Sequence, residues 1–125
     1  MGQTPPVKPG RRVIDGYGGG VFRVAGETHR GPVLVLPDRT VLWPVASIAD
    51  LSIESLAAVT ACEPRPEILL IGCGKSAAMI PPALRQALRE QRIVIDAMDT
   101  GAACRTYNVL LSEERRVAAA LMAVE

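Results

Sequence analysis

Ile68-Leu69-Leu70-Ile71-Gly72-Cys73-Gly74 and Ile93-Val94-Ile95-Asp96-Ala97-Met98-Asp99-Thr100 decide the fold. Each opens on an aliphatic run too short for a helix. Residues 68–71, flanked by Glu67 and Gly72, predict a strand buried on both faces. Pro81 and Pro82 begin a helix in which Leu84, Ala87 and Leu88 share one side, with Arg85, Gln86, Arg89 and Glu90 opposite. Residues 93–95 form the next buried strand, within a segment 92–97. Strand, helix and strand in this order predict a parallel pair with a right-handed crossover. Thr100 then reads as the N-cap of a helix whose Ala103, Tyr107, Leu110 and Leu111 follow i, i+4, i+7, i+8 spacing. Ser112, followed by Glu113 and Glu114, predicts a helix restart with Val117, Ala118 and Leu121 on its apolar face.

Outward from this unit the texture changes. Residues 13–45 carry short β-rich runs: Val13-Ile14, Val21 to Val24, Val33 to Leu36, and Val41 to Trp43. Gly16 to Gly20, Gly26-Glu27 and Pro37-Asp38 punctuate them, which predicts antiparallel hairpins. Ser52 is placed to cap a helix over 53–61, with Glu54 in its first turn, and Pro64 and Pro66 prevent continuation. Residues 1–12 read as a flexible tail, and 13–125 as a single α/β domain.

The chain has 125 residues, 49% apolar and 22% charged, which excludes disordered and collagen-like chains. Aromatics are 3%: Tyr17, Phe22, Trp43 and Tyr107. The core is therefore aliphatic, and a base-stacking platform for nucleic acid is not indicated. A net charge of +1 gives no basic field for nucleic acid or anionic lipid. Cys62, Cys73 and Cys104 are odd in number and contain no C-x-x-C pair. This speaks against a disulfide framework or zinc site and for a reducing, cytoplasmic location. No apolar run has membrane-spanning length. No metal or other cofactor is expected.

Gly72-Cys73-Gly74-Lys75-Ser76 has the ending of a phosphate-binding loop, G-x-x-x-x-G-K-[ST]. The first glycine of that motif falls on Leu69, inside the strand, and the next helix starts only at Pro81, so the match is read as accidental. A nucleophilic cysteine needs a base. The single histidine, His29, sits in the hairpin half and reads as an exposed loop or strand residue. The densest polar cluster follows the strand 92–97. Ligands of open α/β sheets bind outside the carboxyl ends of strands. If the two strands are parallel neighbours, Cys73, Ser76, Asp99, Thr100 and Arg105 converge there. Arg105 and Asn108, at i and i+3, point to one side of their helix. These six are the candidate binding residues, with Arg105 and Asn108 facing a partner or ligand; an Arg105–Asp99 pair is the plainer alternative.

Met98-Asp99-Thr100, Ala103, Thr106-Tyr107-Asn108, Glu114-Arg115-Arg116 and Ile71-Gly72-x-Gly74, with Tyr17, Phe22 and Trp43, resemble one known family across residues 13–124. It contains the mitochondrial respiratory complex I assembly factor 3 and uncharacterised bacterial and archaeal relatives. The resemblance implies a three-layer α/β fold, with helices on both faces of a short parallel or mixed sheet and an N-terminal β-meander. It carries over no catalytic residue. It implies a non-catalytic interaction or assembly role, with other proteins as partners. The alternative is a small-molecule-binding domain or unrecognised enzyme using the carboxyl edge of the sheet.

Overall fold

The computed structural model describes residues 12–125. The expected tail lies outside the described residues except at Arg12. That residue is held in place, its Nε donating to Thr40 Oγ1 at 3.0 Å and its Nη2 to Glu27 Oε1 at 3.2 Å.

Two sheets form. Strands β1 (Ile14–Gly18), β2 (Val21–Val24) and β3 (Glu27–Arg30) make an antiparallel meander. The glycine run does not interrupt β1, as the sequence suggested. Gly16 and Gly18 belong to the strand, and Gly19-Gly20 alone make the turn, both at positive φ. Ala25-Gly26, also at positive φ, make the second two-residue turn. β3 was not anticipated as a strand, because Glu-Thr-His-Arg has no apolar alternation.

The second sheet has the order β5-β4-β8-β6-β7, from β4 (Val33–Val35), β5 (Thr40–Leu42), β6 (Ile68–Gly72), β7 (Val94–Met98) and β8 (Val117–Leu121). β6 runs parallel to both β7 and β8, whereas β4 is antiparallel to β8 and β5. Side chains alternate cleanly. Leu34, Leu69, Ile71, Ile95, Ala118 and Ala120 face one side. There they meet Leu56 and Val59, next to and within α1 (Ala57–Thr60), and Leu84 and Leu88 of α2 (Pro82–Glu90). Val33, Val35, Leu70, Val117, Ala119 and Leu121 face the other. There they meet Ala103, Cys104, Tyr107 and Leu111 of α3 (Thr100–Ser112), with Phe22 and Val24 of the meander. The chain moves one way along the sheet through α2 and back through α3, so crossovers of one hand put the helices on opposite faces. The result is the expected three-layer α/β arrangement.

The largest correction concerns residues 112–121. No helix restarts at Ser112. Glu114 adopts φ +62°, Glu114 N–H donates to Leu111 O at 3.0 Å, and Arg115 N–H donates to Leu110 O at 3.0 Å. This closes α3 in a Schellman motif that lacks the usual glycine. Val-Ala-Ala-Ala-Leu then becomes a central strand buried throughout. Alanine's helix preference is a weak prior, and burial between two layers overrides it. The helix expected over 53–61 is a 3₁₀ turn (Glu54–Leu56) followed by the single turn of α1. Ser52 Oγ does accept from Ser55 N–H at 3.1 Å. Trp43, also buried, fixes this region by donating its indole N–H to Ser55 O at 2.8 Å. No described helix is long and apolar enough to cross a membrane.

Candidate functional site

Two neighbouring regions carry the candidate residues. The first is the carboxyl edge of β6, β7 and β8. Thr100 is its centre and is fully buried. Its hydroxyl donates to Met122 O at 2.7 Å and accepts from Gly74 N–H at 2.9 Å. Thr100 N–H donates to Gly74 O, Cys73 N–H to Met98 O and Met122 N–H to Gly72 O, at 2.8–2.9 Å. The strand ends approach so closely that a Cβ on Gly72 would lie 2.9 Å from Thr100 Cα. The N-cap is Asp99 rather than Thr100: Asp99 Oδ1 accepts from Ala102 N–H at 2.8 Å. Cys73, Asp99 and Thr100 therefore do converge, but the edge is stitched shut. The backbone groups at Gly72, Gly74, Met98 and Met122 are thus engaged with one another or with Thr100. Lys75 and Ser76 are exposed on the loop beyond and are not drawn into this cluster.

The second region is a cleft of about 250 Å³ between β1 and α3, lined by Ile14, Asp15, Gly16, Tyr17, Cys104, Arg105 and Asn108. Asn108 does not face a partner. It is buried, and its amide binds the backbone of Ile14 through two hydrogen bonds. Helix periodicity placed it beside Arg105, but the meander folds over that flank and covers it. Arg105 is exposed and points to Tyr17 Oη, 3.4 Å from its Nη1. It does not pair with Asp99, whose carboxylate caps the helix. Burial pushes the Cys104 thiol up to about 12, so it stays protonated and inert near neutrality.

Tyr17, Asp15 and Gly101 belong to this region, although sequence reasoning did not bring them together. Tyr17 is 43% exposed, and its hydroxyl lies over the first turn of α3, where a Cβ on Gly101 would come within 2.5 Å of it. A glycine inside an otherwise regular helix was the available signal, since it marks close approach of another group. Asp15 sits at an irregularity in the β1–β2 register, and its Oδ2 accepts from Gly26 N–H at 3.0 Å. Among the described residues, no group of three or more His, Cys, Asp or Glu is placed to hold a metal ion.

The family model described as a protein of unknown function, DUF498/DUF598, matches residues 14–122. The chain belongs to that family. A Rhodobacter capsulatus protein described as uncharacterised is 38% identical over 122 residues, covering 98% of this chain and 93% of that one. NADH dehydrogenase (ubiquinone) 1 alpha subcomplex assembly factor 3 of Mus musculus is 37% identical over 109 residues, covering 87% of this chain. The chain spans 59% of that protein's length. Among solved structures, a Bartonella henselae protein described as an outer membrane protein superposes with TM-score 0.85 at 44% identity, covering 94% of this chain and 98% of that one. A Bordetella pertussis protein described as a Mth938-like domain gives TM-score 0.80 at 26% identity, covering 98% and 92%. The DUF498/DUF598 match takes in both regions, the stitched edge and the cleft.

Proposed function

We propose that this protein is a non-catalytic interaction module that assists the assembly of a larger protein complex. The observation that carries the reading is its 37% identity, over 87% of the chain, to a protein named as a complex I assembly factor. The chemistry of the cleft supports it. Its one thiol is held protonated, and His29 is not among the lining residues. At the carboxyl edge, where a small-molecule site would be sought, the backbone of Gly72, Gly74, Met98 and Met122 is engaged internally. The cleft itself falls below the ~300–1,000 Å³ typical of ligand pockets. Three unpaired cysteines, two of them buried, suit a reducing compartment such as the cytoplasm.

The test is recovery of the tagged protein from its own cells, with bound proteins and small molecules identified. A reproducible, near-stoichiometric protein partner is the expected result. Recovery of a small molecule with no protein would replace this reading with a ligand-binding one.

A further inference from the structure

We propose that the cleft between β1 and α3 receives a carboxylate borne on an extended segment of a partner polypeptide, with Arg105 as its counter-ion. The inference rests on the interaction role proposed above and names the chemistry of what is recognised.

Arg105 is exposed and, among the described residues, forms no ion pair. Neither nearby carboxylate pairs with it: Asp99 Oδ1 caps α3, and Asp15, on the cleft's lining, accepts from Gly26 N–H through Oδ2. The guanidinium carries five donors in a planar fork suited to a carboxylate, and only one has a protein acceptor, at the long distance of 3.4 Å. That acceptor is the Tyr17 hydroxyl, which can turn its own proton toward an incoming anion. The absence of a side chain at Gly101 lets the tyrosine lie there.

The edge of β1 adds the preference for a peptide. Gly18 and Val21 flank a two-residue turn, so they form a hydrogen-bonded pair, as do Gly16 and Arg23. Tyr17, opposite Phe22, lies at a non-hydrogen-bonded position. Its N–H and C=O therefore point away from β2, along the edge that borders the cleft. Ile14, the other outward-facing residue, already has its N–H and C=O occupied by Asn108. Tyr17 thus presents one donor and one acceptor in strand geometry. A free small acid uses only donors, whereas a polypeptide backbone matches both.

The experiment is an NMR titration of the labelled protein with two capped pentapeptides, acetyl-Thr-Val-Glu-Val-Thr-amide and its glutamine counterpart, and with sodium acetate. The glutamyl peptide should shift the Tyr17 amide and the Arg105 side-chain N–H saturably. It should bind roughly fivefold or more tightly than the glutaminyl peptide, and Arg105→Gln should abolish that difference. Equal binding of the two peptides overturns the proposal, as does no shift at Tyr17 and Arg105 at millimolar peptide. So does an acetate response that saturates as strongly as the peptide's. Partner recovery is read separately: peptides that fail while a protein partner is still recovered overturn this cleft assignment and leave the interaction role standing.

Discussion

The side-chain amide of Asn108 and the peptide of Ile14, 94 residues apart in sequence, pair like two strands of a sheet. Ile14 N–H donates to Asn108 Oδ1 at 2.9 Å, and Asn108 Nδ2 donates to Ile14 O at 2.8 Å. One helical side chain therefore anchors the edge of the meander to α3. Asn108→Asp keeps an acceptor, loses the donor and buries a charge; Asn108→Ala leaves both backbone groups without their partner. Each change should lower the unfolding free energy by about 2–4 kcal/mol in denaturant titration. A loss below about 1 kcal/mol would show that water replaces the amide.

Thr100→Val preserves shape and removes the hydroxyl that joins Gly74 N–H to Met122 O. The expected loss is about 2–4 kcal/mol, since two buried backbone groups lose their partner. Thr100→Ser keeps the hydroxyl and should cost less than about 1.5 kcal/mol. A larger loss for Thr100→Ser than for Thr100→Val would place the methyl group, not the hydroxyl, at the centre of this edge.

Gly101→Ala opposes two effects. Alanine favours the helix by up to about 1 kcal/mol, while its Cβ meets the Tyr17 hydroxyl at 2.5 Å. That hydroxyl is the far end of a partly exposed side chain, so the tyrosine moves aside. Stability should hold or rise while the Tyr17 ring resonances shift. A loss above about 1 kcal/mol would mean that Tyr17 is rigidly held.

Arg92 follows α2 at φ +65°, with Ile93 N–H donating to Leu88 O and Arg92 N–H to Arg89 O, both at 2.9 Å. This position favours glycine. Arg92→Gly should raise thermal stability by about 0.5–1 kcal/mol. A decrease would assign the arginine side chain a role that outweighs its backbone strain.

Cys104 sets a pH dependence. Its folded thiol titrates near 12, raised from an ordinary value of 9.0 chiefly by burial. A raised pKa means the native state holds its proton longer than the unfolded chain. The contribution is thus fully present below pH 9 and is lost progressively between about 9 and 12. The unfolding free energy measured across that window should fall more steeply for the natural protein than for Cys104→Ala. Parallel curves would mean that the thiol is reached by water.

α2 and α3 were readable in advance because their apolar residues repeat with the period of a helix, and β6 and β7 because their aliphatic runs are too short for one. β8 was not. Ala118-Ala119-Ala120 carries no alternation of side-chain type, so a strand buried on both faces looks like a continuing helix. The stop lies in Glu114, a residue with no sequence signature for positive φ. Arg105's exposure followed from its two-residue offset from buried Tyr107, whereas Asn108's burial depended on the meander folding across α3. Tyr17 was not placed at this site because 84 residues separate it from Gly101, and no local pattern announces a long-range packing partner.

The position of β8 has a consequence for biosynthesis. The strand between β4 and β6 is the one made last, so neither half of the five-stranded sheet has its central neighbour until residue 121 has left the ribosome. Until then β4-β5 and β6-β7 are separate pairs with open inner edges, the kind of surface that recruits other strands. The sheet is closed only once Val117–Leu121 lies between β4 and β6. A ribosome-arrested chain ending before residue 117 should therefore stay protease-sensitive throughout, however much of the meander and α3 it contains.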